Sequence, residues 1–180
     1  MRPSLLVPLA IAAAAGCGRP PATPEPPTRV VEQFHEVRLR SKLTGAPARD
    51  ELTRLAPFLS DTLRALLAAA RRLHDAELAR APDEKPAFAE GDLFSSLFEG
   101  PTSFRVVTDS VSADGPVPVR FTYADGKDTT TWTDRVQVAR RQGRYVVADV
   151  EYGGTWAFAN GGSLRTSLEH ALGAVPAARP

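Results

Sequence analysis

Val117-Pro118-Val119-Arg120-Phe121-Thr122-Tyr123 sets apolar against polar side chains at nearly every second residue, and that period of two marks a half-buried β-strand. Working outward, Asp125-Gly126 is a turn dipeptide, and Thr129 to Arg141 supplies a third, long run containing Trp132, Val136 and Val138. Gln142-Gly143 is a tight turn into a fourth run, Tyr145 to Tyr152. Upstream, Phe104 to Val111 alternates as a first strand, with Arg105, Val107, Asp109 and Val111 on one face and Phe104, Val106, Thr108 and Ser110 on the other. Links of hairpin length between the four runs predict an antiparallel meander.

Before the sheet the period is helical. Val30, Phe34, Val37 and Ser41 share a stripe with Val31 beside it, Thr28 is placed to cap its start, and Gly45-Ala46-Pro47 ends the helix near Leu43. A short helical piece from Asp50 to Phe58 is interrupted at Pro57. Ser60 then caps a longer helix whose inner face is Leu63, Leu66, Leu67, Ala70 and Leu73, stopped by Ala81-Pro82-Asp83. Residues 82–103 keep no period, and with Phe88, Phe94 and Phe98 they are expected to fold over the core. After the sheet, Ser163 caps a last helix with Leu164, Leu168, Ala171 and Leu172 inward. Helices first and a meander second is an α+β arrangement in which the helices cover one sheet face.

Cys17 is the only cysteine in the 180 residues. Arg2 gives a positive start, Leu5 to Ala15 an apolar stretch, and Ala14-Ala15-Gly16 three small residues before the thiol, which is the layout of a secretory signal. The Ala-Ala-Gly-Cys ending resembles the bacterial lipobox, in which the cysteine is acylated and becomes the new N-terminus; the alternative is an ordinary cleaved signal with an upstream Ala-x-Ala site. The lipobox resemblance implies a lipoprotein carrying fatty acyl groups such as palmitate on Cys17. It also implies residence in the cell envelope, and Gly18 in place of an inner-membrane retention aspartate points to the periplasmic face of the outer membrane in a host with two membranes. Gly18 to Thr28 holds five prolines in eleven residues and favours an extended spacer of roughly 34 Å. The chain is thereby divided into a signal peptide (1–16), a lipidated cysteine and tether (17–28), a single α+β domain (29–173) and a frayed tail (174–180).

Beyond residue 16 the chain carries 21 basic and 21 acidic residues. That balance gives no general attraction to nucleic acid or to an anionic membrane surface. An oxidising compartment with no disulfide requires a packed core instead, and the length suffices for one.

Val30-Val31-Glu32-Gln33-Phe34-His35 opening a helix, Gly91-Asp92-Leu93-Phe94 before the sheet, and the Gly143-Arg144-Tyr145-Val146-Val147-Ala148-Asp149-Val150 hairpin ending resemble a group of uncharacterised bacterial secreted and lipid-anchored proteins with the nuclear transport factor 2-like, or cystatin-like, cone fold. The closing Ser163-Leu164 with Leu168 also fits. The resemblance implies the fold and carries no agreed chemistry.

Candidate sites follow from residue type. His35, His74 and His170 lie one per helix without ligand spacing, so no metal is expected and surface histidines are the reading. No Gly-x-Ser-x-Gly surrounds Ser95-Ser96, and Gly153-Gly154 and Gly161-Gly162 read as turns rather than a phosphate loop. Arg140, Arg141 and Arg144 form a basic hairpin tip expected to be solvated. Asp92, among Phe88, Phe94 and Phe98, is a desolvated carboxylate or the cap of a turn over Leu93–Phe98. Tyr152 to Phe158 holds three aromatics with flexible glycines, either lining a pocket or plugging the end of the cone. Asp92, Phe94, Tyr152 and Trp156 are therefore the candidate ligand-binding residues. The expected function is a lipid-anchored binding module without catalysis or cofactor. Its partners are the membrane, through the anchor, and a periplasmic or secreted protein. The alternatives are an inhibitor or immunity-type protein for a secreted or cell-wall enzyme, and a pocket enzyme of isomerase or dehydratase type using Asp92 with Tyr123 or Tyr152.

Overall fold

The computed structural model describes residues 25–109, 111 and 115–173. Cys17, most of the tether and the tail after Gly173 lie outside them. Four helices and four strands form an α+β domain. Helix α1 (Pro27–Arg40) begins earlier than its apolar stripe suggests, because Pro27 takes the first helical position, where its missing N–H costs nothing. Pro26 is the N-cap, so Thr28 lies inside the first turn and does not cap it. The inner face is also rotated from the expected Val30-Phe34-Val37-Ser41 stripe. Val30, Val31, Phe34, His35 and Arg38 are buried, whereas Val37 is half-buried.

Helix α2 (Arg49–Leu55) runs into a 3₁₀ turn, Ala56–Phe58, that absorbs Pro57. The Glu51 carboxylate accepts from the Ala48 backbone N–H at 2.7 Å, closing its first turn. Helix α3 (Asp61–Arg80) is capped as its sequence predicts, with Ser60 Oγ accepting from the Leu63 N–H at 3.2 Å. It packs chiefly on α4 (Leu164–Gly173), so α1 is the helix that lies on β1, β2 and β4.

The sheet is a meander in the order β1-β2-β3-β4, made of Ser103–Val106, Val117–Asp125, Asp128–Arg141 and Arg144–Glu151. Each strand is antiparallel to the next. The first strand is shorter than the alternation to Val111 predicts, since ladder pairing ends near Val107, whose N–H reaches Pro118 O at 2.9 Å. Gln142 and Gly143 both have positive φ, 50° and 78°, the backbone required for a two-residue turn that follows strand twist. A bulge between Gln137 and Val138 shifts the β3–β4 register. Arg141 is not merely solvated at this tip: its Nη1 donates to Leu59 O and to Asp61 Oδ1, each at 3.2 Å.

One sheet face is buried through Val117, Val119 and Phe121 of β2 and Trp132, Asp134 and Val136 of β3. Phe34 and Leu67 are fully buried in the same core. Phe34→Ala and Leu67→Ala are each expected to cost about 2–5 kcal/mol in chemical denaturation. A loss under about 1 kcal/mol at both would mean that these faces do not carry the core.

His35 overturns the expectation of surface histidines. It is fully buried between Phe34, Phe104 and Phe121, with ring centroids 4.9–5.4 Å away. Burial, and then the Arg38 charge, hold its pKa well below the usual 6.5. The folded state therefore keeps His35 neutral where an unfolded chain binds a proton. Its contribution is fully present above pH 6.5 and is lost as pH falls below it. His35→Leu is expected to flatten the stability–pH curve below pH 6.5, and an unchanged slope in acid denaturation would contradict this.

Candidate functional site

The loop between α3 and β1 carries Gly91-Asp92-Leu93-Phe94-Ser95-Ser96-Leu97-Phe98, and every neighbouring element ties into it. The Asp92 N–H donates to Phe98 O at 2.7 Å, which closes the segment on itself. The Asp92 side chain is about 5% exposed. Its Oδ1 accepts from the Phe94 N–H at 2.8 Å, and its Oδ2 accepts from Ser95 Oγ at 2.8 Å. Arg38 Nη1 donates to Oδ1 at 2.6 Å and to Oδ2 at 2.5 Å.

Arg38 is reached because α1 presents positions 31, 34, 35 and 38 on one face. Its guanidinium lies 5.5 Å from the Phe121 ring centroid and 5.9 Å from that of Phe94. Arg38 Nε donates to His35 Nδ1 at 3.1 Å, so the neutral imidazole carries its proton on Nε2. Among the described residues the buried Arg38 Nη2 and His35 Nε2 have no hydrogen-bond partner.

A second buried carboxylate stands on the other side of the loop. Asp134 on β3 accepts from the Ser96 N–H at 2.9 Å, the Trp132 Nε1–H at 3.1 Å, the Gly153 N–H at 2.8 Å and the Ser96 hydroxyl. Among the described residues it makes no ion pair, so oriented dipoles alone solvate its charge. Ser96 Oγ in turn accepts from the Gly154 N–H at 2.9 Å. Gly153 passes so close to β3 that a Cβ there would lie 2.1 Å from Thr133 O, which only glycine permits.

The segment after β4 completes the lattice. Tyr152 Oη donates to Leu93 O at 2.7 Å, and Asn160 Nδ2 donates to Ser95 O at 2.8 Å and Asp92 O at 3.2 Å. Burial, followed by the Asp92 charge, pushes the Tyr152 hydroxyl pKa far up, so it is a neutral donor. Trp156 is half-buried with its ring edge-on to Trp132 at 5.7 Å.

Asp92, Phe94, Tyr152 and Trp156 thus come to one region: Asp92 and Phe94 buried in the loop, Tyr152 and Trp156 half-buried against it. Tyr123 lies apart on β2, opposite Thr130. Sequence reasoning missed Arg38, Asp134, Ser95, Ser96 and Asn160. Two of them carried a signal: Arg38 falls three residues after His35 and four after Phe34, and Asp134 shares the phase of Trp132 and Val136.

Above the ion pair opens a cleft of about 490 Å³, bordered by Arg38, Lys42, Glu90, Asp92, Phe98 and Gly100. Phe98 is 49% exposed there, unlike Phe94, so the loop covers the core with some of its phenylalanines only. Among the described residues no group of three or more His, Cys, Asp or Glu converges as metal ligands, and no helix is long and apolar enough to cross a membrane.

No protein-family profile matches the chain. The chain is 28% identical over 147 residues to the uncharacterized lipoprotein YbjP of Escherichia coli (strain K12), an alignment covering 80% of this chain and 76% of that protein. A crystal structure of a protein of unknown function from Bacteroides thetaiotaomicron VPI-5482 aligns at 18% identity with a TM-score of 0.38, covering 69% of this chain and 87% of that one.

Proposed function

We propose that this chain is a lipid-anchored, extracytoplasmic binding module without catalysis, which recognises its partner at the cleft above Arg38 and Asp92. The observation that carries the recognition reading is the locked pair itself. Arg38, at the border of the cleft, is held rigid by Asp92, His35 and two phenyl rings. Rigid polar groups beside an exposed aromatic such as Phe98 are the usual make-up of a recognition site. Absence of catalysis is favoured by the engagement of both buried carboxylates and by the Tyr152 hydroxyl already donating its hydrogen bond to Leu93 O. The sequential helices and meander sheet favour the nuclear transport factor 2-like fold within this reading. Lys42→Glu and Phe98→Ala should weaken capture of an envelope partner in cross-linking experiments while leaving the melting temperature unchanged. Undiminished capture by both variants removes the cleft from the reading.

The anchor rests on Cys17 at a signal boundary together with the lipoprotein relative. Gly18 favours the periplasmic face of the outer membrane. Cys17→Ser should abolish fatty-acid labelling; a variant that still labels would remove the anchor.

A second reading, an inhibitor or immunity-type protein, is favoured by Phe158. Its ring is 91% exposed, two residues from Asn160, which is pinned to the 91–98 loop. Phe158→Ala should then abolish inhibition of the cognate enzyme without loss of stability.

A further inference from the structure

The sheet has a second face, which the helices leave open. On it Arg105 of β1 stands directly opposite Arg120 of β2, Arg120 opposite Thr133 of β3, and Arg135 opposite Pro118. Arg135 is therefore diagonal to Arg120, and all three are exposed. Opposed side chains in such a ladder lie about 5 Å apart and diagonal ones about 7–8 Å, so three cations share one small surface. They border one concavity of about 520 Å³ with Val107, Pro116, Pro118 and Thr133, and among the described residues no acidic one borders it. Among the described residues the side chain of none of the three makes a hydrogen bond or ion pair. Glu151, opposite Arg135 across β4, instead accepts from Gln137 Nε2 at 2.6 Å. Like charges placed directly opposite one another destabilise a sheet, which leaves the Arg105–Arg120 pairing without a structural reason in the isolated domain.

The place where the chain leaves the domain supplies the second observation. Pro26, Thr28 and Arg29 at the start of α1 border a common cleft with Arg105 and Thr108, and with Glu32 and Glu36, so the first described residues lie at the β1 edge near Arg105. We propose that this open face docks on the phosphate headgroups of anionic phospholipids in the membrane that bears the anchor. The docking orientation rests on the lipid-anchor reading, whereas the affinity of the face for the headgroups does not. Cations near an anionic bilayer each strengthen binding about fivefold, so three together supply about a hundredfold. Without these three arginines the chain beyond residue 16 carries 18 basic and 21 acidic residues, so the attraction is local to the face.

The test uses the mature chain, residues 17–180, bearing Cys17→Ser so that no acyl group contributes; the core lies wholly within it, from Val30 to Leu168. Co-sedimentation is measured with phosphatidylcholine vesicles with and without phosphatidylglycerol, at low and high salt. Binding should require phosphatidylglycerol and fall with salt. It should weaken about a hundredfold in R105Q/R120Q/R135Q, and stay unchanged in R49Q/R64Q/R72Q, which removes the same charge from the α2–α3 surface. Relief of the Arg105–Arg120 repulsion should leave the sheet variant at least as thermostable as the parent, and R120Q alone should weaken binding in the same direction. Equal weakening in both triple variants, indifference to phosphatidylglycerol, or binding to soluble polyphosphate without vesicle binding would each overturn the proposal. Fatty-acid labelling of the unmodified protein tests the anchor separately, so either reading can fail alone.

Discussion

Asp92→Ala is expected to lower the unfolding free energy by about 3–5 kcal/mol, because it leaves the Arg38 guanidinium charged, buried and without its counter-ion. The same change strips acceptors from the Phe94 N–H and Ser95 Oγ, which hold the turn of the 91–98 loop. Burial drives the size of the effect. Both side chains of this pair are at most 5% exposed, against 44–48% for the surface pair Arg29–Glu32, whose loss should cost under about 1 kcal/mol. Arg38→Met combined with Asp92→Leu should recover much of the loss, since an apolar pair of similar volume needs no desolvation of charge. Urea denaturation of the single and the double variant measures this directly. A loss below about 1 kcal/mol for Asp92→Ala would show that Arg38 finds water or another partner when released.

Asp134→Ala should be similarly damaging by a different route. No cation is stranded; instead three N–H donors and the Ser96 hydroxyl lose their common acceptor inside the protein. Each buried donor left unpaired costs about 1–3 kcal/mol, so the expected loss is at least about 3 kcal/mol even with partial water entry. Asp134→Asn keeps one acceptor oxygen but turns an NH₂ toward groups that are themselves donors, and it should not rescue. Hydrogen exchange adds a local readout: protection should fall at Ser96 and Gly153 before it falls in β2. If Asp134→Asn matches the parent in stability, the carboxylate is not the knot between the loop and β3.

Much of this architecture was legible in residue order. Alternation placed Val117, Val119 and Phe121 on the core face, Gln142-Gly143 turned the last hairpin, and Ser60 capped α3, because each of these is decided within a few residues. The 91–98 loop was legible only as apolar and closed over the core. Its partners stand 54 residues away at Arg38, 38 at Asp134 and 65 at Asn160, and no local pattern encodes such pairings. Asp134 shows the limit most clearly. Strand period put it in phase with Trp132 and Val136, but a lone carboxylate there ordinarily reads as a break in the pattern.

By itself, then, the amino-acid order determined most of the helices and strands and the meander, since periodicity and turn chemistry are local properties of a chain. Tertiary structure alone decided that His35 and Arg38 face inward and that Asp92 is a counter-ion. It also decided that Arg105, Arg120 and Arg135 share one open face. The reason is physical: burying a charge or aligning like charges depends on what the fold brings within a few ångströms, and desolvation is settled only once the partners have met.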